Sequence, residues 1–133
     1  MKNMLVVTSG IVAMILSTAT LAGSREDLLT QYAAAAKTSG FSAARGQTLH
    51  TQNFSGGKPD TPSCTTCHGK DTRGAGRALT GKTIEPVAVS VTPTRYTDPA
   101  KVEKWFKRNC TEVLGRECTP QEKGDWLTFV IGQ

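Results

Sequence analysis

Past residue 14 the chain contains no methionine; the three it has are Met1, Met4 and Met14. Histidine is almost as scarce, with His50 and His68 alone. Both shortages narrow the choice once a metal ligand has to be found. The 16 basic residues form no dense run and no nucleic-acid module is visible, which excludes a nucleic-acid partner. Repeats, heptads and low-complexity tracts are absent too. With 133 residues there is room for one domain and hardly for a second. Only one long apolar run exists, Met4 to Leu16, broken by Thr8, Ser9 and Gly10. It is shorter than the roughly 20 residues that span a bilayer.

That run has the flanks of a secretory signal peptide rather than of an anchor. Lys2 precedes it, and Thr20-Leu21-Ala22 places small residues at −3 and −1. Cleavage after Ala22 is expected, leaving residues 23–133 as a single exported domain in the periplasm. Lys2 is the only charge lost, so the net charge falls from +5 to +4. Such an excess allows steering toward an acidic partner.

The remaining pattern is all-α, with about four helices. Ser24-Arg-Glu-Asp27 has the form of an N-cap with acidic residues in a first turn. Leu28, Leu29, Tyr32 and Ala33 then share one helical face, and Lys37 to Gly40 ends the helix. A short second helix spans about Ser42 to His50. Asn53 to Pro62 is a loop rich in Gly, Ser, Asp and Pro. Between Gly69 and Thr97 no period is sustained, and the segment is expected as loop, including the short apparent strand from Pro86 to Val91. Thr97-Asp98-Pro99 starts a helix, with Val102, Trp105, Phe106 and Asn109 at i, i+3, i+4 and i+7. Thr119-Pro120-Gln121-Glu122 is a capping box that opens the last helix. Trp126, Leu127, Val130 and Ile131 form its apolar face.

The chemistry lies in Cys64-Thr65-Thr66-Cys67-His68, a C-x-x-C-H motif. Two thiols at this spacing can add to the vinyl groups on one porphyrin edge, and the adjacent imidazole can reach the iron. This is the attachment signature of haem c. A redox dithiol would want a βαβ context, which is missing. A structural zinc site would want four ligands in two clustered pairs. The other cysteines, Cys110 and Cys118, sit eight apart and are better used as a disulfide in an exported chain. The expected cofactor is therefore one covalent haem c held by Cys64 and Cys67, with His68 on the iron. Trp105 and Phe106 are candidate haem-pocket side chains. Lys82 and Arg95 are offered to the propionates, and the Pro86 carbonyl to His68.

The sixth iron position is open. Methionine is excluded once residues 1–22 are removed. His50 lies ahead of the motif on a short helix, where a packing role is favoured over ligation. Asn109 shares the helical face of Val102 and Phe106, so its amide is expected toward the core. A buried amide without a partner costs about 1–3 kcal/mol, and iron could be that partner. The rival reading is an asparagine capping the helix C-terminus, which the pattern alone favours.

Several longer stretches resemble the sphaeroides haem protein family, small exported high-spin class I cytochromes c. They are Gly56 to Ser63 leading into the haem motif, Thr80-Gly81-Lys82, Val102 to Trp105, Arg108-Asn109-Cys110 and Gly115 to Pro120. The resemblance implies a class I cytochrome c-like fold with loops wrapping the haem. It implies that Asn109, just before the first disulfide cysteine, ligates ferric iron and departs on reduction. Oxygen, carbon monoxide or nitric oxide would then bind. It also implies a dihaem cytochrome c and a membrane b-type cytochrome as redox partners. A related oxygen-binding cytochrome carries histidine at the ligand position, and Asn109 places this chain with the asparagine type. The expectation is an electron-transfer and gas-binding haem protein, not an enzyme. A plain electron shuttle is the alternative. An oxygen or nitric oxide reductase is weaker, because no general acid is evident near the iron.

Overall fold

The computed structural model describes residues 21–133, with the backbone alone for Leu21 and Ala22. Most of the expected signal peptide lies outside the described residues. The elements run α1 (Leu21–Ala36), α2 (Ala43–Thr51), α3 (Thr65–His68), β1 (Gly76–Arg77), β2 (Thr83–Ile84), α4 (Pro99–Leu114) and α5 (Pro120–Ile131).

Helix starts follow the capping chemistry. The Ser42 hydroxyl accepts from the Arg45 N–H, and the Asp98 carboxylate accepts from the Lys101 N–H ahead of Pro99. At α5 the Thr119 hydroxyl and the Glu122 carboxylate satisfy each other's backbone N–H groups, a complete capping box. The N-cap expected at Ser24 is not where α1 begins. The helix already runs from Leu21, carried back through Ala22, a strong helix former. It ends at Ala36, where Lys37 takes a left-handed conformation (φ 54°) and Thr38 N–H reaches back to the Ala33 carbonyl.

The core is a helix sandwich. Leu28 and Tyr32 of α1, Val102 of α4 and Leu127, Phe129 and Val130 of α5 pack together with Val87. A second cluster gathers Cys110, Val113, Leu114 and Cys118, with Leu49, Phe54 and Phe106 against it. Phe106 joins the two clusters. The Cys110–Cys118 disulfide forms, with Cα atoms 5.5 Å apart. Helices α2 and α5 cross most closely, at Gly46, where a Cβ would overlap the Asp125 carbonyl and Phe129. The crossing is fastened by Asp125, which accepts from the Ser42 N–H at 2.7 Å, from Arg45 at 2.7 and 2.9 Å and from Gln121 at 3.0 Å.

Two further expectations change here. The 69–97 segment is mostly loop, but a two-residue antiparallel pairing sets Gly76 opposite Ile84 and Arg77 opposite Thr83. A pairing this short leaves no period to read. And α4 continues four residues past Cys110 to Leu114, closing on Gly115 at φ 76°. Asn109 therefore sits inside the helix and caps nothing.

Candidate functional site

Cys64, Cys67 and His68 are brought together by α3, a single turn that the C-x-x-C-H spacing just fills. Cys64 faces α2, its sulfur 3.9 Å from the Leu49 carbonyl oxygen. Cys67 lies beside the Leu79 backbone and Glu112 of α4. Both are free thiols rather than a disulfide. Burial pushes Cys64 up to about 11. It also raises Cys67, with Glu112 adding to the effect. A thiol-disulfide catalyst or a zinc site needs easily formed thiolates, which this environment opposes.

The His68 Nδ1 is buried and has no hydrogen-bond partner. Burial, then His50 and Arg95, push His68 down to about 4. The imidazole is thus neutral at ordinary pH, the form that binds a metal. The segment around it is tightly held. A Cβ at Gly76 would overlap the Cys67 carbonyl, so β1 lies directly against the motif. Gly69 turns the chain after His68 with φ 71° and ψ 172°, a conformation open essentially to glycine alone.

His50 is fully buried beside this turn. Its Nε2 lies 2.9 Å from the Gly69 carbonyl oxygen, and its Nδ1 accepts from the Trp126 indole N–H at 3.3 Å. Its ring centroid is 6.5 Å from that of His68. With both nitrogens engaged, His50 has none to offer iron. Its bonding escaped the sequence reading. The available signal was a histidine four residues after Gly46, together with an indole N–H on α5 that requires a partner when buried.

The remaining expected residues scatter more. Phe106 points into the core, edge-on to Tyr32 and Trp126 at 6.2 and 5.6 Å. Trp105 does not: it is 45% exposed, with the Arg108 guanidinium over its ring at 5.3 Å. Asn109 is also exposed and its amide makes no hydrogen bond among the described residues. The expectation of one face for Val102, Trp105, Phe106 and Asn109 is corrected. Val102, Phe106 and Cys110 turn inward, while Trp105 and Asn109 form an adjacent outward strip one turn apart. The Pro86 carbonyl does not meet His68; it accepts from Thr92 Oγ1 at 2.9 Å and Arg95 Nε at 2.7 Å. Arg95 also donates to the Glu85 carbonyl, and Lys82 is exposed.

Among the described residues three large apolar side chains are left open to solvent: Leu79 after β1, Val91 in the loop after β2 and Trp105 on α4. A buried unpaired imidazole nitrogen, two free thiols on one turn and open apolar side chains fit a flat apolar macrocycle held by thioethers. The donor set fits haem c.

Five helices among the described residues, with a motif of this kind, define a class: a small c-type cytochrome with one haem. The chain matches the family described as "Domain of unknown function (DUF1924)" over residues 36–130. It is 50% identical over 125 residues to the cytochrome c-type protein SHP of Cereibacter sphaeroides, covering 92% of this chain and 96% of that one. It is 31% identical over 87 residues to cytochrome c'' of Methylophilus methylotrophus, covering 65% and 60%. Among solved structures, oxidised SHP, an oxygen-binding cytochrome c, superposes with TM-score 0.79 at 52% identity, over 82% of this chain and 96% of that chain. The solution structure of cytochrome c'', concerned with haem-ligand detachment, gives 0.70 at 28% identity, over 84% and 94%. The chain belongs to the sphaeroides haem protein family. It is a mono-haem, all-α cytochrome c that transfers electrons.

Proposed function

We propose that this cytochrome couples electron uptake to release of the Asn109 amide oxygen from the iron, opening a position for a diatomic gas. Haem c supplies the redox-active iron and the gas-binding coordination position when bound. Cys64 and Cys67 hold it covalently, and His68, kept neutral by burial, is the lasting ligand. Lys82 and Arg95 are offered to its propionates; Arg95 already gives Nε and one Nη to backbone carbonyls.

One observation carries the reading: Asn109 is exposed on α4 and its side-chain amide makes no hydrogen bond among the described residues. Its amide oxygen is a neutral, hard donor, which suits ferric iron better than the softer ferrous ion. With no methionine after residue 14 and His50 committed to Gly69 and Trp126, the usual stronger ligands are missing. Two relatives support the same chemistry, one an oxygen-binding cytochrome and the other studied for haem-ligand detachment. Residues 1–22 are proposed to direct export to the periplasm. A dihaem cytochrome c and a membrane b-type cytochrome are the proposed redox partners.

The test is substitution at the ligand. Asn109→Ala should change the ferric spectrum and leave the ferrous carbon monoxide adduct nearly intact. Asn109→His should move the ferric protein toward low spin, since imidazole is the stronger ligand. An unchanged ferric spectrum in Asn109→Ala overturns the assignment.

A further inference from the structure

We propose that His50 is a positioning residue for His68, acting through the Gly69 carbonyl, with Trp126 fixing which of its nitrogens carries the proton. The proposal rests on the reading of His68 as the iron ligand.

The tautomer follows from donor chemistry. An indole N–H can only donate, so the His50 Nδ1 that meets Trp126 Nε1 at 3.3 Å must be the acceptor. In a neutral imidazole the other nitrogen then carries the hydrogen. That is Nε2, which donates to the Gly69 carbonyl at 2.9 Å. Both polar atoms of a fully buried ring are thereby satisfied.

The bond falls at a decisive place. Gly69 directly follows His68, and its glycine-only conformation aims the carbonyl at α2. Without a donor there, the chain after His68 would lose the bond that holds it to the helix pair behind. A ligating imidazole is aimed by the groups that restrain it as much as by its own rotamer. Trp126 extends the restraint. It packs edge-on against Tyr96 at 5.8 Å and against Phe106 at 5.6 Å, and Phe106 lies on α4 one turn before Asn109. A plain packing aromatic at position 50 would fill the same space without restraining Gly69.

The experiment uses the haem-loaded protein and three variants. His50→Phe keeps a ring and removes both bonds. Trp126→Phe removes only the donor that fixes the tautomer. His50→Gln keeps an N–H able to reach the Gly69 carbonyl. In His50→Phe the iron–histidine stretching band of the ferrous protein should move to lower wavenumber, and the midpoint potential should rise. Trp126→Phe should shift both in the same direction by less, and His50→Gln should return both most of the way to wild type. A lowered melting temperature in all three, with band and potential at wild-type values, overturns the proposal and leaves His50 as packing. The underlying ligand reading is checked separately. If His68→Gln leaves the ferrous spectrum unchanged, His68 is not the ligand, and the failure lies there rather than in the bridge.

Discussion

The two residues proposed for the iron stand in opposite surroundings. His68 sits in a turn whose backbone is held at three points, by Gly76 against the Cys67 carbonyl, by the glycine-only turn at Gly69 and by the His50 bond behind it. Asn109 stands on the outer strip of α4, its side-chain amide without a hydrogen bond among the described residues. Only the helix beneath it is fixed, through the Cys110–Cys118 disulfide and the Lys58 N–H bonded to the Glu112 carbonyl at 2.8 Å. A permanent ligand is served by a site that leaves it one geometry. A ligand that must leave is served by a side chain that breaks nothing else when it moves. The asymmetry of the two flanks therefore matches the proposed division of labour, and substitutions can strain each flank in turn.

The largest effect is expected at Gly46, behind His68. A Cβ there meets the Asp125 backbone and the Phe129 Cβ, neither of which can swing aside. Gly46→Val should destabilise the protein by about 3 kcal/mol, at the upper end for overpacking. Thermal melting would register this as a drop of more than about 10 °C for a domain of this size. The spectral change should report on His68 before it reports on Asn109. A variant that melts like wild type would mean that α2 and α5 do not cross where the structure puts them.

The helical frame was legible because its signals are local. Asp98-Pro99 and the Thr119 capping box each declare a start within four residues, and the apolar spacing of α5 declares a face. The Cys64, Cys67 and His68 motif was legible for the same reason. What escaped depended on contacts across the fold. Nothing near Gly46 or Gly76 in the chain announces that Asp125 or Cys67 will lie against it. The split of α4 into an inner strip and an outer strip was misread because Trp105 and Asn109 sit at the margin of the apolar face. There the 3.6-residue period cannot separate border from core. The role of His50 needed Gly69, 19 residues on, and Trp126, 76 residues on, to be seen together.

A smaller effect is expected from the disulfide, which braces the Asn109 flank. The chain-entropy account gives about 2.5 kcal/mol for a loop with a sequence separation of 8. Cys110→Ala with Cys118→Ala should lower stability by about that amount. Because Asn109 adjoins Cys110, the same variant should also alter the ferric spin-state balance, while the ferrous spectrum, set by His68, stays close to wild type. Equal disturbance of both spectra would erase the distinction between the flanks.

The smallest effect is set by pH and belongs to the His68 flank. Burial alone would raise the Asp125 carboxyl, but the bonds from Arg45, the Ser42 N–H and Gln121 outweigh it and hold it below its usual 3.8. The folded state therefore binds this proton less readily than the unfolded chain. Stability from Asp125 is fully present above the unfolded value near 3.8 and is lost as the pH falls through the lower folded value. Asp125→Asn removes the charge and keeps the shape, so at pH 7 it should cost about 1.5 kcal/mol, the low end for hydrogen bonds to a charged group, because Arg45 is exposed. That cost should shrink as the pH falls through the lowered folded value, where the wild-type carboxyl takes up its own proton. Protonation of Glu103 and Glu122, also held below their usual range by Lys123 and Arg116, is common to both proteins and cancels in the difference. Melting curves of the two proteins between pH 7 and pH 2 supply the check. A difference that stays constant across that span would mean that the Asp125 bonds contribute through packing alone. The α2–α5 crossing behind His68 would then owe nothing to charge.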